Sequence, residues 1–188
     1  DKNLPGTQGF GYSTIIPKNQ LAKHIQFFRK NGFPDYNVKP IGERDIYTSI
    51  IYLEPFEGRN LSAFGYDMFS EPVRRKAMEI SRDSDLAMLS GKVLLVQETD
   101  EDVQAGALMY VPVYQKDMNT NTVEERRAAI KGWVYSPYRI KDLTKGILGN
   151  RDLITENRIR LKIYDNDDIS VESLLFDSQS EDKEINKD

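Results

Sequence analysis

Several strand-like runs of this 188-residue chain follow one another without a long helix between them. The near-continuously apolar runs GKVLLVQE and AGALMYVPVYQ predict buried strands, and KGWVYSPY predicts another after a polar excursion. The earlier run IYTSIIYLEP is rich in β-branched and aromatic residues, while RIRLKIYD and SLLFDS predict two late strands. Helical segments are mixed with these strands, and this pattern favours the α+β class with a mostly antiparallel sheet.

The segment SEPVRRKAMEISRDSD predicts the most clearly marked helix of the chain. Ser70 is a plausible N-cap, and Pro72 lies in the first turn, where its missing N–H does little harm. The spacing predicts an inward stripe formed by Val73, Ala77 and Ile80. Two shorter helices are predicted in NQLAKHIQFFRKNG and RIKDLTKGILG.

Composition excludes several classes of protein. The formal net charge of -4 argues against a nucleic-acid binder, which usually has a basic excess. The absence of cysteine excludes disulfides, thiol catalysis and cysteine metal sites, and the single histidine, His24, excludes a multi-histidine metal site. No phosphate-binding loop or activated nucleophile is visible, so the sequence predicts neither an enzyme nor a cofactor. A two-carboxylate hydrolase stays open as a third hypothesis, although no spacing recommends one.

The stretch GYDMFSEPVRRKAM places a carboxylate, Asp67, at the end of an apolar run and just before the basic helix start. Asp67 is predicted to cap backbone amides or to contact a ligand. Arg74 and Arg75 either lie on a solvated face or pair with an acid such as Asp67 or Glu71. In the second case these residues would fix the corner between strand and helix, because a buried carboxylate needs a partner.

Asp45 lies at the start of the run IYTSIIYLEP, where an acid could accept hydrogen bonds from a ligand on the sheet. The alternative is a turn residue that bonds its own backbone. Seven apolar and aromatic residues could line a cavity of the composition that small-molecule pockets have, or could be plain core: Tyr47, Tyr52, Tyr66, Met68, Leu95, Met109 and Tyr110.

Six motifs in one order carry a resemblance to a known family: LPGTQGFGYS, ERDIYTSIIYLEP, GYDMFSEPVRRKAM, SGKVLLVQE, GALMYVPVY and TVEERRAAIKGWVYSPYRIKDL. Together they resemble the CHASE domain over residues 4–165. This domain is a sensory module outside the membrane, found in bacterial histidine kinases and diguanylate cyclases and in plant cytokinin receptors.

The resemblance implies two tandem PAS-like lobes with antiparallel sheets, after an N-terminal stalk helix that is missing from this chain. Residues 4–116 would form the membrane-distal, ligand-binding lobe, and residues 128–178 the membrane-proximal lobe. Residues 117–127 would connect the lobes, in agreement with the polar excursion there, and residues 179–188 would form a tail.

In the plant receptors an aspartate and backbone groups hold an adenine-type ligand in an apolar cleft of the distal lobe. By motif position, Asp45 in ERDIY is the expected counterpart of that aspartate. The expected walls are Tyr47, Ile51, Tyr66, Met68, Leu95 and Met109. The run YLEPFEGRNLSAFGYDM is bulkier than the plant pattern, and LVQE also differs from it, so cytokinin binding is not carried over.

The resemblance implies an extracytoplasmic sensor, periplasmic and part of an inner-membrane protein, with a kinase or cyclase output domain outside this chain. A small molecule would bind the distal lobe and change the arrangement of the lobes, and the full-length receptor would be a homodimer. No nucleic acid is expected as a partner. The alternative is a protein-interaction or dimerisation domain with a vestigial pocket.

Overall fold

The computed structural model describes residues 6–96, 103–148 and 159–179. Over these residues the protein is α+β, as the sequence predicted, with a five-stranded antiparallel sheet, a two-stranded sheet and several helices. The strands are β1 (Phe10–Pro17), β2 (Ile46–Glu54), β3 (Met88–Leu89), β4 (Gly106–Tyr114), β5 (Ile130–Arg139), β6 (Lys162–Tyr164) and β7 (Leu174–Asp177). The α-helices are α1 (Leu21–Lys30), α2 (Pro72–Ser84), α3 (Val123–Ala129) and α4 (Ile140–Leu148). Short 3₁₀ helices span Lys18–Gln20, Gly58–Ala63 and Met68–Ser70.

The large sheet has the strand order β2-β1-β5-β4-β3, and every neighbouring pair is antiparallel. β4 and β5 are hydrogen-bonded neighbours in it, from the pair Gly106 and Arg139 to the pair Tyr114 and Ile130. The predicted connection at residues 117–127 therefore joins two paired strands of one sheet. The two tandem lobes are not confirmed, because strands on both sides of this connection belong to the same sheet.

The main core lies between one face of the large sheet and α2. Trp133 at its centre is fully buried. Its indole N–H donates to the Met78 carbonyl at 3.0 Å, and its ring stacks on Phe69 with 5.8 Å between centroids. The same core contains Tyr110, whose hydroxyl donates to the Met68 sulfur at 3.4 Å. These contacts fix α2 and the Met68–Ser70 turn on the sheet.

The helix α2 begins one residue later than predicted and buries a different face. Its N-cap is Glu71, whose carboxylate accepts hydrogen bonds from the N–H groups of Val73 and Arg74 at 3.0 and 2.9 Å. The buried residues are Arg74, Ala77, Met78 and Ser81, while Val73 and Ile80 are exposed. The small residues Ala77 and Ser81 explain the shift, because they let the helix approach closely enough for the Ser81 hydroxyl to donate to the Tyr110 carbonyl.

Three predicted strands differ from the structure, one in whether it forms and two in how they pair. Residues 91–96 of the run GKVLLVQE form no regular strand, although a single bridge joins Val93 to Gly106. Leu95 packs over Gly106, where a Cβ would lie 2.5 Å from the Leu95 Cγ. The predicted strands in RIRLKIYD and SLLFDS do form, as β6 and β7, but they pair with each other in a separate sheet.

The small sheet and its flanking residues contact the rest of the protein through hydrogen bonds to Lys92 and through apolar packing of Phe176. The Asp165 carboxylate accepts a hydrogen bond from the Lys92 N–H at 2.8 Å, and the Lys92 ammonium donates to the Glu172 carbonyl at 2.7 Å. Phe176 of β7 is buried against Ala107 and Ile140. The two sheets are therefore joined by specific polar contacts as well as by apolar packing.

The C-terminal end of α2 is tied to α3 by one carboxylate, Asp83. A hydrogen bond from Arg127, and to a smaller extent one from Arg82, holds the pKa of this carboxyl well below its usual value of 3.8. A lowered native pKa stabilises the fold above pH 3.8, and this contribution is lost as the pH falls towards the native value. We expect Asp83→Asn to lower the urea midpoint at pH 7. The difference from the wild type should shrink as the pH falls below 3.8 towards the native pKa of Asp83. A urea titration at several pH values measures this, and a pH-independent difference would contradict it.

Candidate functional site

Asp67 is the most completely buried carboxylate of the predicted site residues, with none of its surface exposed. One oxygen, Oδ1, accepts hydrogen bonds from the Thr48 N–H at 2.9 Å, the Thr48 hydroxyl at 2.8 Å and the Phe69 N–H at 3.1 Å. The last bond makes Asp67 the N-cap of the Met68–Ser70 turn. Asp67 therefore joins β2 to the segment that leads into α2.

The other oxygen of Asp67, Oδ2, faces the irregular segment 39–45, which we call the 39–45 loop. The Nε of Arg44 donates to this oxygen at 3.0 Å, and the Arg44 side chain is 23% exposed. The Asp67 N–H donates to the Lys39 carbonyl at 2.6 Å, so both ends of the loop are attached at Asp67. The carboxylate is thus separated from solvent by a loop that carries its counter-ion.

Tyr47 supports the 39–45 loop from below. Its hydroxyl accepts a hydrogen bond from the Arg44 N–H and donates to the Gly42 carbonyl, both at 2.9 Å. The Arg44 guanidinium lies 4.8 Å from the centre of the Tyr47 ring, within the range of a cation–π contact. A carboxylate can accept about four hydrogen bonds, and the described partners of Oδ2 amount to Arg44 alone. If the loop moves, a ligand N–H could take the place of Arg44.

Arg74 forms a second buried polar cluster next to this region. Its side chain is almost fully buried, and it donates to the Tyr66 hydroxyl at 3.1 Å and to the Leu94 carbonyl at 2.6 Å. The nearest acid is Glu71, at 3.8 Å. Asp67 and Arg74 are therefore not paired with each other, although both lie at the predicted corner between strand and helix. Arg75 is exposed, and its side chain pairs with no acid among the described residues.

Three predicted site residues lie in β2 or directly before it, and the structure places them in different environments. Asp45 is exposed, and its side chain forms no hydrogen bond with the described residues, although its carbonyl accepts one from the Lys18 N–H. Tyr47 is buried beneath the 39–45 loop. Ile51 is half-buried and is the residue of β2 that has no partner on β1 at the register shift.

The remaining predicted wall residues divide between the two faces of the sheet. Met68 and Leu95 are buried in the main core, and Tyr66 packs against it. Met109 is 37% exposed and lies on the opposite face, because its neighbours on β4, Leu108 and Tyr110, both point into the core. Met109 therefore does not share a cavity wall with Met68 and Leu95.

Four clefts lie elsewhere on the described surface. Groups of neighbouring residues line three of them, with volumes of about 530 Å³ at residues 7–10 and 54–60, about 400 Å³ at 92–94 and 103–105, and about 300 Å³ around 32–39. A fourth, narrow cleft adjoins the largest. None of the predicted ligand-binding residues lines these four clefts.

Sequence reasoning missed Arg44 and Thr48, the two side chains that bind the Asp67 carboxylate. Arg44 is next to Asp45 in the motif ERDIY, and the motif did draw attention to the correct segment. Arg44 and Asp67 are 23 residues apart, and no local pattern indicates such a pair. The available signal was an acid within an apolar run, because a carboxylate buried there would need a cation from elsewhere in the chain.

Two further features bear on function. Among residues 6–96, 103–148 and 159–179, no three or more acids and histidines come together in a way that could hold a metal ion. No helix within those ranges has the length and apolar character that crossing a bilayer requires.

Comparison with known proteins identifies one family. A search of curated proteins found no significant match. A family model described as the CHASE domain matches residues 1–176, which is most of the 188-residue chain. CHASE domains are sensory domains and are not themselves catalytic. The match extends across both sheets, and the chain therefore belongs to the CHASE domain family.

Proposed function

We propose that this chain is the extracytoplasmic ligand-sensing part of a transmembrane signalling receptor, and that Asp67 is the polar anchor for its ligand. The single observation that supports this anchor is a fully buried carboxylate whose counter-ion, Arg44, comes from the irregular 39–45 loop. A buried carboxylate needs a charged or hydrogen-bonding partner. A loop can supply that partner in the empty state and withdraw it when a ligand arrives.

Asp67 is a better anchor than Asp45 for a physical reason. The exposed Asp45 carboxylate is surrounded by water, so a hydrogen bond from a ligand replaces one from solvent with little net gain. Asp67 lies in a dry environment, where an N–H donor is favoured more strongly. The preferred ligand would be a small, flat molecule with N–H donors, as adenine-type compounds have. Tyr66 and Met68 would then lie near its apolar part.

Signalling would follow from movement of the 39–45 loop. A ligand shifts a conformational equilibrium only by its difference in affinity for the two states. In the empty state Arg44 is ion-paired with Asp67. In the bound state the ligand would displace Arg44 and release the loop. The Arg74–Leu94 hydrogen bond and the Lys92–Asp165 hydrogen bond would carry the change to the small sheet.

The five-stranded sheet with its helices would be one PAS-like, membrane-distal lobe. Under this proposal the lobe includes β5 and ends near Arg139, rather than at residues 117–127, because β5 lies between β1 and β4. The sheet of β6 and β7 would belong to a membrane-proximal part. The full-length receptor would be a homodimer in the bacterial inner membrane, anchored by segments outside this chain and connected to a kinase or cyclase output domain.

A second candidate function is a protein-interaction domain with a vestigial pocket. The observation that favours it is the burial of Met68 and Leu95 in the main core, where both pack against other core side chains. This alternative requires no loop movement. It predicts that no small molecule stabilises the domain.

A thermal-shift screen of purines, amino acids and small carboxylates tests the proposed function. A ligand at 100 times its Kd stabilises the native state by about 2.7 kcal/mol, which is readily measured. We expect a hit with N–H donors whose stabilising effect disappears in Asp67→Asn and persists in Asp45→Asn. Arg44→Ala should strengthen the effect, because it removes the internal competitor for Asp67.

Arg44→Ala keeps the proposal testable if Asp67→Asn does not fold, because its expected effect on ligand stabilisation is measured separately. Two results would contradict the proposal. One is a screen with no stabilising compound, which favours the interaction domain. The other is a hit that depends on Asp45 and is unchanged in Arg44→Ala.

A further inference from the structure

A groove separate from the Asp67 region lies where the chain enters β1 and leaves β2. Residues 7–10 and 54–60 form its walls, and it encloses about 530 Å³, a volume typical of small-molecule sites. A narrower cleft adjoins it, too tight to admit a water molecule. The groove and the cleft share five lining residues: Gln8, Gly9, Phe10, Glu54 and Asn60.

Side-chain hydrogen bonds hold the two walls of the groove together. The buried Asn60 amide donates to the Pro55 carbonyl at 3.1 Å within its own wall and to the Gln8 carbonyl at 3.3 Å across the groove. The Arg59 guanidinium donates to the Gln8 side chain. The groove is therefore a built feature, in which polar groups of both walls have fixed positions.

Two buried hydroxyls at this groove have no hydrogen-bond partner among the described residues. One belongs to Tyr135, a residue that lines the narrow cleft and is only 2% exposed. The other belongs to Thr7, a residue that lines the groove itself. Burial raises the pKa of Tyr135, so its hydroxyl is protonated at neutral pH and can donate. Buried polar groups without a partner are rare, and each needs an explanation.

Two carboxylates at the same groove also have no partner. Glu54 and Glu57 are exposed, and neither side chain forms a hydrogen bond or an ion pair with the described residues. Phe10, which is also exposed, adds an apolar surface to the groove. The groove therefore combines free acceptors with negative charge, free donors and an aromatic ring.

We propose that this groove binds a small zwitterion that carries both an ammonium group and a carboxylate, as an amino acid does. The ammonium donates to Glu54 and Glu57, which are otherwise unpaired. The ligand carboxylate accepts hydrogen bonds from the hydroxyls of Thr7 and Tyr135. The apolar part of the ligand lies against Phe10. A ligand that lacks its ammonium leaves the two carboxylates without a partner, and a ligand that lacks its carboxylate leaves the two hydroxyls without one.

Binding requires one local movement. The narrow cleft has no room for a water molecule in this conformation, so the ligand reaches Tyr135 only when the wall at residues 54–60 moves outward. None of the residues assigned to the Asp67 site lines this groove. The inference goes beyond the proposed function, and the two can fail independently.

Isothermal titration with each of the twenty standard amino acids tests the inference. The best-binding amino acid is then compared with the amine that lacks its carboxylate and with the acid that lacks its ammonium group. We expect the amino acid to bind, and its affinity to fall about tenfold or more for either analogue and in either Glu57→Gln or Tyr135→Phe. Glu124→Gln, an exposed acid of α3 outside both the groove and the 39–45 loop, is the matched control and should leave the affinity unchanged.

Both test variants are expected to fold, because Glu57 is exposed and Tyr135→Phe removes only an unpartnered hydroxyl. Four results would overturn the inference: no amino acid binds, either analogue binds as tightly as the amino acid, the affinity is unchanged in either variant, or binding is lost only in Asp67→Asn and therefore belongs to the other site.

Discussion

Replacing Asp67 with alanine should lower the free energy of unfolding by about 3–5 kcal/mol. The change leaves the Arg44 guanidinium without its counter-ion and removes the acceptor for the Thr48 and Phe69 N–H groups. The Phe69 N–H retains the Thr48 hydroxyl as a partner at 3.1 Å, but the Thr48 N–H loses its described partner. Urea denaturation followed by circular dichroism measures the effect.

The matched control is Asp45→Ala, in an exposed side chain without described partners, which should change the stability by no more than about 0.5 kcal/mol. Arg44→Ala should have an intermediate effect, because Arg44 is partly exposed and Asp67 keeps the hydrogen bonds to Oδ1. Equal effects of Asp67→Ala and Asp45→Ala would show that the buried carboxylate does not organise this region.

Replacing Trp133 with alanine should destabilise the domain by about 3–5 kcal/mol. Trp133 is fully buried between α2 and the sheet, and the truncation leaves a cavity beside Phe69 and removes the hydrogen bond to the Met78 carbonyl. Trp133→Phe is the matched variant, because it retains an aromatic ring and loses mainly the indole N–H. We expect it to lose about 1–2 kcal/mol. A Trp133→Ala variant as stable as the wild type, by urea denaturation, would contradict the assigned core.

The class of fold could be predicted from the sequence because the alternation and composition of its strands are local properties. IYTSIIYLEP and AGALMYVPVYQ contain β2 and β4 for this reason. The pairing of β5 with both β1 and β4 could not be predicted, because register depends on contacts between residues far apart in the chain. The polar segment between β4 and β5 therefore suggested a boundary between lobes, although the two strands share a sheet.

The helix α2 shows the same limit at the level of single residues. Its existence followed from Pro72 and the helical spacing, but its buried face depends on the small side chains of Ala77 and Ser81 against Tyr110. Hydrophobic spacing alone favoured Val73 and Ile80, which are exposed. Packing distance between elements thus decided which side of the helix faces the core.

The sequence predicted which segments form the candidate site. It did not predict which side chains bond to each other there. The motifs that contain Asp45 and Asp67 do meet in space, since the 39–45 loop is attached at Asp67. The roles of the two acids depend on burial, which differs between an exposed loop end and a covered turn. The groove at residues 7–10 and 54–60 had no sequence signal, because its hydroxyls and acids come from three separate parts of the chain.

The central claim, that a ligand displaces Arg44 from Asp67, is tested most directly by hydrogen–deuterium exchange with the best stabilising compound of the screen. We expect faster exchange in the 39–45 loop and slower exchange at Thr48 and Phe69 when the compound is bound. Unchanged exchange in these segments, at a compound concentration that stabilises the domain, would contradict it.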